Sequence, residues 1–409
     1  MPQNRVDCKR QSADNINTQK ATRRVAFYIP RKGERSVKQV CGAVIYWMKH
    51  ETVFCIAAVC ALLSMLLNPP SAAYLNYVDW RVISLLFCLM AVVAGFQECG
   101  VFAVLAQKLL SGERRMHFVE LCLVLLPFFV SMLVTNDVAL ISFVPFSILV
   151  LGLIGRRDRL IYIIVLQTIA ANLGSMATPI GNPQNLYLYA NYSLTPGQFF
   201  GVMLPLVLVS LVGLTIAALR GKSEGISVSF PEQAQLRRPG RLGLMAGLFA
   251  LCLLSVFRVF PYPALLVVVL AALILFDRTL FRRVDYGLLA TFICFFLFAG
   301  NIGACAPLQR GLSAVVSQNT ALASLLTSQV ISNVPAAVLL SGFTADWRGL
   351  LIGVNVGGLG TPIASLASLI SLKIYLRSSG ARAGEYLMTF TVANALALAI
   401  LCIAAIPLL

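Results

Sequence analysis

The chain has 409 residues, of which 59% are hydrophobic and only 12% are charged, and its mean hydropathy is +0.84. This composition excludes a soluble enzyme or binding domain, because apolar runs near the ~20 residues that cross a bilayer recur throughout the chain. The net charge of +16 does not indicate nucleic acid, because 11 of the 32 Lys and Arg lie in residues 1–50 and most others occupy short loops. We therefore predict an all-α polytopic membrane protein.

The N-terminal residues 1–50 differ from the rest of the chain because they are polar and basic. They contain no apolar core of the kind that a cleaved signal peptide needs, so we expect a cytosolic tail. Residues 36–50 either form a lead-in helix on the membrane surface or begin the first span. Spans are then expected at 52–68 and from 82 to about 107, and the outer loop between them contains no Lys or Arg as far as Trp80.

The stretch 118–153 is apolar, yet basic residues flank both of its ends, which places both ends on the inside. Thr135, Asn136 and Asp137 interrupt it near the middle. We predict a re-entrant hairpin whose tip lies at membrane depth. Two full spans joined by an external turn at these three residues are the alternative.

Two more segments complete the first half of the chain, and the second half repeats its order with opposite orientation. An interrupted helix at 160–190 and a span at 199–219 lead to the most basic loop after the tail. Loops assigned to the inside carry three to five Lys or Arg each, and loops assigned to the outside carry none or one. The expected later segments are spans at 242–257, 263–276 and 286–307, a second hairpin at 321–343, a second interrupted helix at 350–376 and a last span at 386–409.

This alternation predicts an inverted-topology repeat with two re-entrant hairpins and two broken transmembrane helices. The N-terminus is expected in the cytoplasm and the C-terminus outside an inner or plasma membrane. The predicted parts are a basic tail with lead-in helix (1–50), a first transmembrane repeat (51–219), a basic cytoplasmic loop with linker helix (220–257) and a second, inverted repeat (258–409).

The strongest internal similarity is between two stretches of sixteen residues each. Residues 171–186 read ANLGSMATPIGNPQNL and residues 354–369 read VNVGGLGTPIASLASL, with six identical positions. Both copies place Gly and Pro inside an apolar segment, which breaks a transmembrane helix and frees backbone groups that must be satisfied. A matched pair of this kind indicates the binding site of a secondary transporter. Helix packing through small residues is the alternative, but it does not explain a duplication that contains proline.

The predicted site lies where the two breaks and the two hairpin tips meet. The positive end of a half-helix attracts anions, and freed carbonyls at the negative end can coordinate Na⁺. We expect no cofactor beyond a coupling ion, Na⁺ or H⁺, with Na⁺ held near Asn136, Asp137, Gly174, Asn333 and Gly357. The candidate substrate- and ion-binding residues are Thr135, Asn136, Asp137, Asn172, Gly174, Thr178, Pro179, Asn182, Asn185, Ser332, Asn333, Asn355, Gly357, Thr361, Pro362 and Ser365.

Two acidic residues lie within apolar runs. Asp137 has no counterpart at the second tip, where Val334 follows Asn333. An intramembrane carboxylate can bind Na⁺ or carry a proton, and a helix cap is the alternative. Glu98 is expected to pair with a polar neighbour. Neither hairpin and neither break contains Lys or Arg, so an anionic substrate would rely on amide dipoles, side-chain amides, hydroxyls and co-bound cations.

Four motifs resemble the ion transporter superfamily, which contains arsenite efflux permeases, Na⁺/H⁺ antiporters, and citrate and dicarboxylate symporters. They are TNDVALISFVP from Thr135, NLGSMATPIGNPQN from Asn172, SQVISNVPA from Ser328 and GTPIASLASL from Gly360. The resemblance implies two inward-pointing hairpins and two unwound helices around one central site, often in a homodimer. Both tips of the dicarboxylate symporters read Ser-Asn-Thr, whereas these tips read Thr-Asn-Asp and Ser-Asn-Val, so the first tip is more similar to the arsenite and Na⁺/H⁺ branch.

The expected function is secondary active transport of a small anion or oxyanion across the lipid bilayer, coupled to H⁺ or Na⁺. Na⁺/H⁺ exchange at Asp137 is the alternative. A channel or a membrane-embedded enzyme is disfavoured, the latter because the two histidines, His50 and His117, lie at predicted membrane edges and no His/Asp/Glu cluster offers metal ligands or a nucleophile with its base.

Overall fold

The computed structural model describes residues 52–221 and 224–409, and the expected lead-in helix at 36–50 lies outside them. The described chain is almost entirely α-helical, and six of its helices are long and apolar enough to cross a bilayer. The helices are α1 Thr52–Ser64, α2 Tyr74–Tyr77, α3 Trp80–Glu98, α4 Val101–Leu110, α5 Met116–Val130, α6 Asn136–Leu153, α7 Leu160–Ser175, α8 Pro183–Asn191, α9 Pro196–Ala218, α10 Pro239–Val256, α11 Tyr262–Phe276, α12 Tyr286–Ala304, α13 Ala306–Val316, α14 Thr320–Ile331, α15 Asn333–Ser341, α16 Trp347–Val356, α17 Leu366–Leu376 and α18 Ala383–Ala405.

The order of these helices confirms the predicted all-α inverted repeat. Helices α3 to α9 correspond one by one to α12 to α18, with α5–α6 and α14–α15 as the hairpins and α7–α8 and α16–α17 as the broken helices. Each repeat opens its long span with the same cap. Asp79 accepts a hydrogen bond of 3.0 Å from the Val82 N–H, and Asp285 accepts one of 2.9 Å from the Leu288 N–H, which satisfies a free donor at each helix start.

Two predicted spans are wrong at their C-terminal ends. The span expected at 82–107 stops at Glu98, because Gly100 adopts a left-handed conformation with φ of 76° that ends a helix. The short helix α4 then follows as a separate element. The span expected at 286–307 likewise stops at Ala304, and α13 starts with a proline near its first turn. Both repeats therefore contain one more short helix than the sequence indicated.

A two-stranded antiparallel sheet was not predicted. Strand β1, Gly112–Arg115, pairs with β2, Gly225–Val228, with Gly112 opposite Val228 and Arg115 opposite Gly225. The sheet joins the loop before the first hairpin to the loop between the repeats. Both loops were assigned to the inside from their basic residues, and the pairing requires them to lie on the same side.

Other contacts between loops agree with the predicted sides. Glu98 forms ion pairs of 3.2 Å with Arg283 and 3.7 Å with Arg241, and both arginines lie in loops assigned to the inside. The expected polar partner of Glu98 is thereby confirmed. Arg258, from a loop assigned to the outside, donates to the carbonyl of Ser193 in another outer loop and to the carbonyl of Tyr189 near the end of α8, which leads into that loop.

The centre of the described molecule is the first half of each broken helix. In α7 all residues except Tyr162 are buried, and in α16 eight of ten are buried. A helix that is apolar on every side requires neighbours on every side. The hairpins, α9, α17 and α18 supply these neighbours, and they place the first helix break in the protein interior.

Candidate functional site

The first break separates α7 from α8 and is held by its own side chains. Asn182 caps α8 by accepting a hydrogen bond of 3.0 Å from the Asn185 N–H, and Pro183 occupies the first turn, where no N–H is needed. The second break separates α16 from α17, with Ser365 at the corresponding cap position. The breaks differ in exposure, since Thr361 is exposed whereas the first break is buried except at Thr178.

The two broken helices cross each other through Asn172 and Asn355. The amide of Asn172 on α7 accepts a hydrogen bond of 3.0 Å from Ser365 and donates one of 3.3 Å to Ser368. Asn355 on α16 accepts one of 3.3 Å from Asn182.

Asn355 also donates a hydrogen bond of 2.6 Å to the Oδ1 of Asn185. Because the repeat offset is 183 residues, Ser365 and Ser368 are the counterparts of Asn182 and Asn185. The same pair of contacts is thus made twice, once by each half on the other, as an inverted repeat requires.

Ser175 joins these two contacts into one buried network. Its hydroxyl donates to the backbone carbonyl of Asn172 at 2.8 Å and accepts from the Asn182 side chain at 3.2 Å. Ser175 was not among the predicted site residues, because its repeat counterpart is Gly358 and the comparison of the two copies did not mark it. The network runs without interruption from Ser368 to Asn185.

The hairpin tips reach the same region. The Asn136 side chain accepts from the Asp137 N–H at 3.0 Å, and the Asn333 side chain accepts from the Val334 N–H at 2.9 Å. The Asn136 amide then donates to Asn172 at 2.9 Å, which brings the first tip onto the crossing.

The second tip meets its own break through the backbone. The Asn333 N–H donates to the Ala364 carbonyl at 3.0 Å, and the Ser332 hydroxyl donates to the same oxygen at 3.3 Å. Ser332 has a φ of 74°, a conformation that costs an L residue of order 1–3 kcal/mol. The polar contacts of this tip offset that cost.

Each hairpin is also tied to the break in its own half. Thr178 donates to the Met132 carbonyl, and Thr361 donates to the Gln329 carbonyl at 3.1 Å. These contacts are equivalent, because the hairpins are related by an offset of 197 residues. Both tips therefore reach the level of the breaks, which favours re-entrant hairpins over two full spans.

Gly174 and Gly357, one in each helix break, lie against the hairpins. A β-carbon on Gly174 would collide with the Phe128 carbonyl and the Ser131 hydroxyl, and one on Gly357 would lie 3.0 Å from the Ser328 β-carbon. These two glycines therefore permit close packing of each hairpin against its broken helix.

Two prolines, Thr135 and Asp137 were also predicted as site residues, and their side chains make none of these hydrogen bonds. Pro179 and Pro362 lie within the breaks, and Thr135 occupies the cap position of α6 without a capping hydrogen bond. Asp137 lies in the first turn of α6, and its Oδ1 is buried without a hydrogen-bond partner. Within 52–221 and 224–409, no group of three His, Cys, Asp or Glu is placed to hold a metal ion.

Comparison with known proteins identifies the family. A family model described as citrate transporter matches residues 42–346. The chain belongs to the citrate transporter family. An uncharacterized transporter of Methanocaldococcus jannaschii is 32% identical over 340 residues, which cover 82% of this chain and 91% of that protein. Inner membrane protein YbiR of Escherichia coli is 32% identical over 310 residues, covering 73% and 80% of the two chains. A more distant relative, the P protein of Homo sapiens, is 27% identical over 41% of this chain and 22% of its own length.

This member of the citrate transporter family has one further site residue that the sequence interpretation missed. The Gln329 side chain donates to the carbonyls of Gly357 and Leu359 at 2.7 and 2.9 Å and accepts from the Thr361 N–H at 2.9 Å. It therefore satisfies three backbone groups that the second break leaves free. The sequence signal that could have identified Gln329 is its position three residues before Ser332, within the SQVISNVPA motif.

Proposed function

We propose that this protein is a secondary active transporter that moves a small anion or oxyanion and is coupled to H⁺ or Na⁺. The observation that carries the proposal is the reciprocal crossing at Asn172 and Asn355. It joins two broken helices and a hairpin tip through buried amides and hydroxyls. A network of this kind has two sides related by the repeat, which suits a site that opens alternately to either face.

The charge of the proposed substrate follows from the ends of the helices. Helices α6, α15, α8 and α17 begin at Asn136, Asn333, Pro183 and Leu366, so four positive helix ends converge near the crossing. Each helix start presents N–H groups that have no acceptor within the helix, and it carries a partial positive charge. An anion can bind there without Lys or Arg, as phosphate does at other helix starts.

The family name makes citrate the first substrate to test. The tips lack the threonines that follow Ser-Asn in the dicarboxylate symporters, so oxyanions such as arsenite belong in the same screen. A co-bound cation would balance the charge of the anion during transfer. The unpartnered Oδ1 of Asp137 is the best-placed oxygen for that cation.

Na⁺/H⁺ exchange is the second candidate, and the same Asp137 oxygen favours it. A carboxylate that binds Na⁺ and H⁺ in turn is sufficient for exchange without an anion. The two functions differ in one measurement, because an exchanger moves protons in response to a Na⁺ gradient when no anionic substrate is present.

The membrane location and assembly are also part of the proposal. We place the protein in the inner or plasma membrane, with the N-terminus in the cytoplasm and the C-terminus outside. The basic loops support this orientation, and the relative named an inner membrane protein supports the membrane. We propose transport rather than catalysis because the relatives are named transporters. A homodimer is proposed from the resemblance alone, and the mass of the purified protein in detergent tests it.

The test is uptake into liposomes that contain the purified protein. Imposed Na⁺ and pH gradients are combined with radiolabelled citrate, dicarboxylates, arsenite or Na⁺. We expect one anion to accumulate only when a cation gradient is present. Proton movement driven by Na⁺ without any anion would support the exchanger, and flux of none of these ions under any gradient would contradict both functions.

A further inference from the structure

The two halves differ in how the helix break is filled. In the second half, the two hydrogens of the Gln329 amide reach the Gly357 and Leu359 carbonyls at 2.7 and 2.9 Å. An amide NH₂ has two donors, so it satisfies both carbonyls at once, as a small cation placed between them would. The oxygen of the same amide is held by the Thr361 N–H, which fixes its orientation.

The first half has no amide at the equivalent position of its hairpin, although the Asn185 amide lies in this break and donates to the Thr178 carbonyl at 3.3 Å. The hairpin residue equivalent to Gln329 is Met132, which has no donor. The carbonyl of Met176, equivalent to that of Leu359, receives one long hydrogen bond of 3.5 Å from Asn185. This oxygen therefore keeps most of its capacity to bind a cation.

A second difference lies at the tips. The first tip carries Asp137, whose Oδ1 is buried and unpartnered, whereas Val334 follows Asn333 in the second tip. Both differences point the same way. The first half offers a free carboxylate oxygen and an open carbonyl, and the second half offers neither.

We propose that the Gln329 amide fills the cation position of the second half, so that each chain binds its coupling cation only in the first half, beside Asp137. This inference rests on the proposed cation-coupled function and adds the number and the location of the coupling ions. Gln329 is a positioning residue in this view, because it takes the place of an ion and keeps the second break in one shape.

The test replaces one atom. Gln329→Glu keeps the shape of the side chain but exchanges the NH₂ for an oxygen, which would then face the Gly357 and Leu359 carbonyls. Three oxygens in this arrangement attract a cation instead of a donor. We expect the Gln329→Glu protein to bind one more Na⁺ per chain than the wild type, measured with radiolabelled Na⁺ on purified protein.

Gln167→Glu is the matched control. The Gln167 amide is also buried and donates at 2.6 Å to the Leu123 carbonyl and the Ser147 hydroxyl, away from either break. It should bind the same amount of Na⁺ as the wild type. An extra Na⁺ in the control as well, or none in Gln329→Glu, would overturn the proposal.

The wild-type protein gives a second test that does not depend on a folded variant. Binding of two Na⁺ per chain would overturn the proposal, and binding of one or none, with H⁺ as the coupling ion in the latter case, agrees with it. Met132→Gln should place an amide on the equivalent carbonyls of the first half and remove the dependence of uptake on the cation gradient. Retained dependence would overturn the assignment to the first half.

The experiments distinguish failure of the proposed function from failure of the proposed role of Gln329. In the first case no cation gradient drives uptake by the wild type, whatever the Na⁺ binding of the Gln329→Glu protein. Gradient-driven uptake by a wild type that binds two Na⁺ would instead retain the function and reject the role of Gln329.

Discussion

Replacement of Asn172 by alanine tests the crossing of the broken helices. The wild-type side chain makes three hydrogen bonds to other side chains, at 2.9 Å from Asn136, 3.0 Å from Ser365 and 3.3 Å to Ser368. A buried hydrogen bond contributes about 1 kcal/mol net. Loss of all three should cost about 3 kcal/mol. This lowers the equilibrium constant for forming the contact between the two broken helices roughly a hundredfold.

The inverted repeat adds a stricter expectation. Asn355→Ala removes the equivalent contacts to Asn182 and Asn185 and should reduce uptake to a similar degree. Both variants are compared in proteoliposomes with a cation gradient, after their thermal midpoints in detergent confirm that they are folded.

Asn394→Ala is the matched control for these variants. Asn394 is equally buried but donates only to the Phe390 carbonyl within its own helix, at 2.9 Å. Its replacement should leave uptake unchanged. Uptake by Asn172→Ala and Asn355→Ala at the level of this control would refute the crossing as the transport site.

Four further substitutions test the tips and one glycine of the first break. Asp137→Asn should remove the dependence of transport on the cation gradient more than it lowers protein yield, and unchanged ion dependence would mean that Asp137 does not carry the coupling ion. Asn136→Ala and Asn333→Ala should each abolish uptake by a folded, inserted protein, whereas normal uptake by both would make the tips structural turns. Gly174→Ala should lower the stability in detergent by about 1–3 kcal/mol, because its methyl group meets the backbone of the first hairpin, and an unchanged melting temperature would refute this packing. Gly197→Ala, with open space around it, is the control and should have no effect.

The local signals in the sequence predicted the breaks and the tips well. Proline and glycine within apolar runs place Thr178 and Thr361 in breaks, because these residues cannot continue a helix. Asn136 and Asn333 were recognised as tips because polar residues interrupt long apolar stretches. The basic loops gave the relative sides of the segments, with which the later contacts of Glu98 agree.

Contacts between distant residues could not be read in the same way. The pairing of Arg115 with Gly225 joins residues that are far apart in sequence and lacks any apolar alternation that would mark a strand. The partners of Asn172 depend on how two helices cross in space. Gln329 was missed for a related reason, since it is polar in only one of the two repeats and Met132 occupies the other position.

The opposite orientation of the two halves is tested most directly by labelling single cysteines in a cysteine-free background. Glu113→Cys lies before the first hairpin and Gln318→Cys before the second, and both positions are exposed. A membrane-impermeant thiol reagent should label Gln318→Cys in intact cells and Glu113→Cys only after the membrane is permeabilised. Labelling of both positions from the same side would contradict the inverted repeat and the central site that depends on it.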